Sequence, residues 1–280
     1  MSNSYRLDPA YIGGSKGTLF ALHYQPVTRN EQTLCVIMVP SFAEEMNRCR
    51  YMQTMLAQAI TARGMALLAV DPYGTGDSQG EFEEADWQQW IDDTVTASQY
   101  ANSLGYTRQS MLGIRLGALL ATAAAEKLEN LQELIFWQPV ASGKVALNQF
   151  MRIKIAASMG RDEEAGTTAK FEEQLSLGNS IEVAGYDVSP SLYYGIQSAH
   201  LDNHSSLTHI PISWYTIAAS EERKTPRADL QAMDKWRDNG AALTHYTVIG
   251  PAFWQAHERT LAPNLITATT EHLAGSLYHE

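Results

Sequence analysis

Apolar and polar positions along this chain fall into two alternating rhythms. Leu34–Val39 (Leu-Cys-Val-Ile-Met-Val) is a continuous apolar run of strand length, the pattern of a parallel strand covered on both faces. Thr18–Tyr24 reads as an earlier strand, and Met65–Val70, Gln109–Leu112, Leu131–Trp137, Ile212–Ile217 and His245–Ile249 as later ones. Helical spacing fills the intervals. In Glu45–Arg63 the positions Met52, Met55, Leu56, Ala59 and Ile60 share one face, and Gly64 suits the C-terminal end. Asp86–Leu104 places Trp87, Trp90, Ile91 and Val95 on one face, with Gly105 after it. A helix ending near Leu128, another over Ala228–Asn239 and a C-terminal one complete the set. Strands alternating with helices predict a mostly parallel sheet of about eight strands with helices on both faces.

One stretch breaks the alternation. From Ala146 to Asn203 no buried strand is evident. Helices are predicted over Leu147–Met159 and Thr168–Leu177, separated by a charged turn, Gly160–Gly166. The rest is punctuated by Gly and Pro up to Pro190. The expected organisation is therefore a core of residues 1–145 and 206–280 carrying a helical cap insertion, 146–205. Such a segment would lie over the carboxyl ends of the strands, where α/β sheets bind ligands.

Length and composition narrow the function classes. A chain of 280 residues, 45% hydrophobic and 18% charged, is globular and large enough to fold without disulfides or metal. Its net charge of −11 argues against nucleic acid and anionic lipid as partners. Two cysteines make no disulfide framework, no run of about 20 apolar residues spans a membrane, and no secretory signal is visible, so a cytoplasmic protein is expected. A homo-oligomer is left open. The eight histidines are scattered. His200, His204 and His209 form one loose cluster without a matching Cys or carboxylate set, so no metal is expected. No P-loop or G-x-G-x-x-G is present, and no cofactor is implied.

Three short motifs carry the candidate chemistry. Gly113-Ile114-Arg115-Leu116-Gly117 lies between an apolar strand and a helix, with the glycine spacing of the G-x-S-x-G nucleophile elbow. Asp71-Pro72-Tyr73-Gly74-Thr75-Gly76-Asp77-Ser78 follows the preceding strand, like a D-x-x-G-x-G-x-S loop. Val39-Pro40-Ser41-Phe42 is placed to supply an oxyanion-hole N–H. In this order they resemble the α/β-hydrolase superfamily. Together with Ala43-Glu44-Glu45-Met46-Asn47, Trp137-Gln138-Pro139-Val140 and Phe253-Trp254, they are similar to the second type of exosortase-A-system-associated hydrolase, over residues 15–265. That family occurs in bacteria with exosortase/PEP-CTERM protein sorting. The resemblance implies a hydrolase, with Phe42 and Leu116 N–H groups as the oxyanion hole.

Arg115 stands where such an elbow carries its nucleophile. A guanidinium is neither nucleophile nor general base. Losing the serine of a triad costs turnover on the order of 10⁶. The arginine also sits at a helix N-terminus, where a second positive charge is unfavourable unless an anion is near. That anion is either a protein carboxylate (Glu44, Glu45, Glu221, Glu222 or Asp71) or a ligand carboxylate or phosphate.

Other candidates are weighed by position. His257, with Glu258 beside it, follows the last strand at a distance longer than usual for a catalytic histidine; the alternative is a surface residue. Glu221 and Glu222 follow the preceding strand, a common place for a triad acid, but lie in the charged run Ser220-Glu221-Glu222-Arg223-Lys224, which also suits a solvated loop. Ser41 is a displaced-nucleophile candidate only if a base lies within hydrogen-bond reach. Ser142 is a weaker one, and Ser78 suits a local backbone cap. Cys35 reads as a buried apolar residue, and Cys49 has no visible activating partner. Trp137, Phe253 and Trp254 fall near strand ends and either line an apolar pocket or pack in the core. Two functions remain. One is an ester- or acyl-type hydrolase using Ser41 or an activated water. The other is a non-catalytic, pseudoenzyme-like protein holding a small anionic or acyl ligand at Arg115.

Overall fold

Residues 5–159, 168–202, 204–256 and 258–276 are described by the structure, a computed structural model. In chain order the elements are β1 (Tyr5–Gly13), β2 (Thr18–Pro26), β3 (Leu34–Val39), α1 (Glu44–Thr61), β4 (Ala66–Val70), α2 (Trp87–Ser103), β5 (Arg108–Ile114), α3 (Gly117–Ala125) and β6 (Leu131–Trp137). There follow α4 (Gly143–Met159), α5 (Thr168–Ser176), β7 (Ile181–Val183), β8 (Tyr186–Val188), α6 (Pro190–Ser198), β9 (Ile212–Ala218), α7 (Arg227–Asp238), β10 (Leu243–Ile249) and α8 (Pro263–Ser276).

Eight strands form one sheet in the order β1-β2-β4-β3-β5-β6-β9-β10. The β1–β2 and β2–β4 pairs are antiparallel, and all later pairs are parallel. All six residues of β3 are buried, because helices cover both faces of the sheet. Its side chains alternate between two cores. Cys35, Ile37 and Val39 join the cluster under α2, α3 and α7, and Leu34, Val36 and Met38 join the cluster under α1 and α8.

Helix starts follow local chemistry. The Asp86 carboxylate accepts the Gln89 N–H at 2.8 Å and caps α2. Ser189 caps α6 ahead of Pro190 at its first turn. Glu44 and Glu45 open α1, where negative charge is favourable.

The segment between β6 and β9 departs in detail from expectation. Its first helix begins at Gly143 rather than Leu147, and it contains the two-stranded hairpin β7–β8. The Gly160–Gly166 turn lies outside the described residues. α4 packs on α6 and on β7, and α6 packs on α2. Among the described residues no helix is long and apolar enough to cross a membrane.

Candidate functional site

A cavity of about 440 Å³ opens at the carboxyl ends of the parallel strands. Its walls come from the Phe42–Arg48 segment, the Arg115–Leu116 turn, Val140, α4 and Trp254–Gln255.

The turn between β5 and α3 is tight because both glycines are pressed against backbone. A Cβ on Gly113 would meet the Gly117 carbonyl at 2.5 Å, and one on Gly117 would meet the Pro40 and Val39 carbonyls at 2.4 and 2.5 Å. The strand, the helix and the loop after β3 can approach this closely only without side chains there. Three non-glycine residues around the cavity have left-handed φ: Ala43 (52°), Arg115 (56°) and Gln138 (44°). Such conformations are held by surrounding structure and gather at functional sites.

Arg115 is buried, 7% exposed, yet lines the cavity. Its Nη2 donates to Gln149 Oε1 at 2.8 Å, its Nη1 to the Gln138 carbonyl at 3.2 Å, and its Nε reaches Glu45 Oε1 at 3.4 Å. The guanidinium stacks over Trp254, 5.2 Å from the ring centre. Of the carboxylates proposed as partners, Glu45 is therefore the one in contact. Asp71 is held by Arg50 at 2.8 Å, and Glu44 lies 3.6 Å from Arg48. Glu221 and Glu222 are exposed and do not line the cavity. Burial pushes the Glu45 carboxyl up from the ordinary carboxylate range, and Arg115 pulls it back.

The remaining candidates are distributed as follows. Phe42 and Leu116 both line the cavity, and neither backbone N–H donates a hydrogen bond among the described residues. Ser41 is buried behind the wall, its hydroxyl donating to Cys49 Sγ at 3.5 Å. Burial pushes the Cys49 and Cys35 thiols up to about 12, so neither is poised as a thiolate. Ser78 Oγ donates to the Asp71 carbonyl, a local backbone role, and Ser142 Oγ accepts the Val145 N–H at 3.4 Å. Trp137 is fully buried, its indole N–H on Thr269, and Phe253 packs edge-on against it. Trp254 alone of these aromatics faces the cavity. His257 lies outside the described residues. His204 stacks on Trp236, and His209 bonds the Ser206 carbonyl. Among the described residues no three His, Cys, Asp or Glu side chains converge as a metal site.

Three residues of the site, Asp229, Gln138 and Gln149, were not singled out from sequence. Asp229, on α7 after β9, is 6% exposed and makes no side-chain hydrogen bond among the described residues. Burial raises its pKa to about 6, against a smaller pull from Arg115. Its signal was present in the sequence: Asp229 shares the stripe of Ala232, Met233 and Trp236, so an acid lies on the apolar face of the helix. Gln149, on α4, is the second, and Gln138 the third. Its carbonyl takes Arg115, and its side-chain oxygen accepts the Ile217 N–H at 2.6 Å, tying the turn to β9.

A Ser-His-Glu grouping exists at the opposite ends of the strands. Ser213 Oγ and Glu133 Oε1 both contact Nε2 of His272, at 3.1 and 2.6 Å, while Tyr246 takes Nδ1 at 3.2 Å. With serine and carboxylate on the same nitrogen, the imidazole cannot pass a proton from one to the other as a triad does.

Strand order, helix placement and a cavity built around a strand–turn–helix elbow define an α/β-hydrolase. The chain belongs to the family described as serine aminopeptidase, S33, whose model matches residues 30–187, more than half its length. Its fold is similar to Est1E from Butyrivibrio proteoclasticus with ferulic acid bound, at TM-score 0.65 and 20% identity, over 96% of this chain and 97% of that one. It is similar as well to a highly thermostable carboxyl esterase from Bacillus coagulans in complex with glycerol, at TM-score 0.67 and 14% identity, over 97% and 99%. A third is carboxyl esterase 2 from Tuber melanosporum, at TM-score 0.62 and 14% identity, over 99% and 86%. No curated protein sequence matches the chain.

Proposed function

We propose that this protein keeps the pocket of an α/β-hydrolase and uses it to hold a small organic acid with an apolar body. Arg115 replaces the elbow nucleophile, so the site recognises a carboxylate and forms no acyl-enzyme. The observation that carries the reading is the guanidinium itself, buried at the floor of the cavity and fixed by Gln149, Gln138 and Trp254. A planar, permanently charged fork suits a carboxylate. The unused N–H groups of Phe42 and Leu116 would take its other oxygen. Phe42, Val140, Phe150 and Ile153 supply apolar wall, and the volume of about 440 Å³ suits a small organic ligand. The related fold that holds ferulic acid points the same way. On this reading the motifs that resemble the exosortase-associated hydrolases mark a pocket of that type, and the segment between β6 and β9 is its cap.

A hydrolytic reading with Ser41 is disfavoured, because that hydroxyl faces the Cys49 sulfur behind the wall. The test combines fluorophosphonate labelling with calorimetry of ferulate, benzoate and octanoate. We expect no serine adduct, binding of at least one acid, and at least a tenfold loss of affinity in Arg115→Ala, as removal of a charged hydrogen bond gives. A stoichiometric adduct on Ser41 or any other serine overturns the reading.

A further inference from the structure

The charged groups around the cavity do not pair off evenly. Three arginines (Arg48, Arg115 and Arg152) and two carboxylates (Glu44 and Glu45) line it. Glu44 lies 3.6 Å from Arg48, whose Nη1 also donates to the Gln255 carbonyl at 2.8 Å. Glu45 lies 3.4 Å from Arg115 and feels the charge of Arg48 as well. Arg152 is exposed and makes no ion pair or hydrogen bond among the described residues. The lining thus holds one positive charge in excess, and Arg152 is the cation left without a carboxylate.

α4 sets that charge beside the seat of the ligand. Gln149 of α4 accepts from Arg115 Nη2 at 2.8 Å. Arg152 stands three residues further along, and helix residues three apart are neighbours, with Cβ atoms about 5–6 Å apart. An arginine side chain is long enough to span that gap, so a carboxylate on the Arg115 fork is within reach of Arg152. The reach is from outside. Ile153, next in the chain, lines the cavity while 47% exposed, which marks this turn of α4 as the rim.

Arg115 alone is a poor seat for an added anion. Its charge already faces Glu45 in contact and Asp229 at longer range. Like charges repel strongly where water is scarce. A second guanidinium on the incoming carboxylate offsets that repulsion. Arg48 is engaged with Glu44 and Gln255, whereas Arg152 gives up only its contact with solvent.

We propose that Arg152 is a second anion-binding residue of this cavity: it folds in from α4 over a carboxylate seated on Arg115, and the bound acid is held between two guanidinium groups. A carboxylate has about four acceptor sites on its two oxygens, enough for both arginines. The rim closes over the anion while the apolar body of the ligand stays against Val140 and Phe150. The inference rests on the carboxylate-binding reading above and adds the residue that closes the site.

The experiment has two readouts. Calorimetry of ferulate, benzoate and octanoate compares the wild type with Arg152→Gln and with Lys144→Gln, an exposed cation of α4 that does not line the cavity. Phenylglyoxal, which modifies accessible guanidinium groups, is then applied to the wild type with and without a saturating amount of the tightest-binding acid, and the adducts are mapped by mass spectrometry. Arg152→Gln should weaken binding about tenfold, and Lys144→Gln should change it less than twofold. Arg152 should be modified in the free protein and protected in the complex. Unchanged affinity in Arg152→Gln, or an equal loss in Lys144→Gln, overturns the assignment to Arg152 and leaves the carboxylate reading standing. Equal modification of Arg152 with and without the acid overturns the closure. If none of the three acids binds the wild type, the carboxylate reading falls and this inference with it.

Discussion

At φ 56° the Arg115 backbone occupies a region where a side chain is strained by about 1–2 kcal/mol, and among the described residues its guanidinium is the cation that contacts Glu45 Oε1, at 3.4 Å. The two effects separate by substitution. Arg115→Met keeps the strain and strands the acid, while Arg115→Gly strands the acid but relaxes the turn. Glycine at this position should therefore unfold about 1 kcal/mol later in urea than methionine. Equal stability would mean that the turn is not strained.

Asp229 makes a second residue-scale prediction. Its pKa is raised to about 6 in the folded protein, so the native state holds the proton more tightly than the unfolded chain does. That preference is fully present below the unfolded value near 4 and is lost as pH rises through about 6. Stability should fall across that window. Asp229→Asn should remove the dependence and add about 2 kcal/mol at pH 7, read from urea midpoints at pH 4, 6 and 7.

Elements carry the next level of consequence. The seat of α3 depends on a missing side chain, since a Cβ on Gly117 would strike two backbone carbonyls of the loop after β3. Gly117→Ala should push the helix start away from that loop, destabilise the fold by about 1–3 kcal/mol and weaken acid binding by separating the Phe42 and Leu116 N–H groups. Gly13→Ala, whose Cβ would meet nothing within 4 Å, is the control and should stay within about 0.5 kcal/mol of wild type.

The same scale explains what could be read from the chain beforehand. β3 was legible because burial on both faces leaves a continuous apolar run, and β6 and β9 because most of their positions are apolar and buried. β1 was not, because an edge strand paired only with β2 exposes most of its side chains. β7 and β8, three residues each, are too short for any periodicity to appear. Arg115 was legible through the glycines beside it. Its partners were less so: Glu45 was one of five carboxylates proposed, and choosing among them required the path of α1. Gln149 and Gln138 reach the guanidinium from α4 and from the loop after β6, and no local pattern records that meeting. Trp137 and Trp254 look alike in sequence, each at a strand end. Only tertiary packing sends one to the core and the other to the cavity.

At the scale of the whole molecule, a chain of net charge −11 gathers Arg48, Arg115 and Arg152 around one cavity with Glu44 and Glu45. The cationic lining is local, confined to the cavity of a chain that is acidic as a whole. β6 and β9 are hydrogen-bonded neighbours, although α4, α5, the β7–β8 hairpin and α6 all intervene in the chain. Closing a connection costs entropy that grows only with the logarithm of its length, about 0.6 kcal/mol per doubling. The sheet is thus nearly indifferent to how much chain is strung between those two strands. α4, which supplies Gln149, Phe150 and Ile153 to the cavity wall, belongs to that indifferent stretch. Mutation can lengthen, trim or rewrite it while the register of the strands holds, so one end of the binding cavity is free to drift toward new ligands on a scaffold that does not have to change.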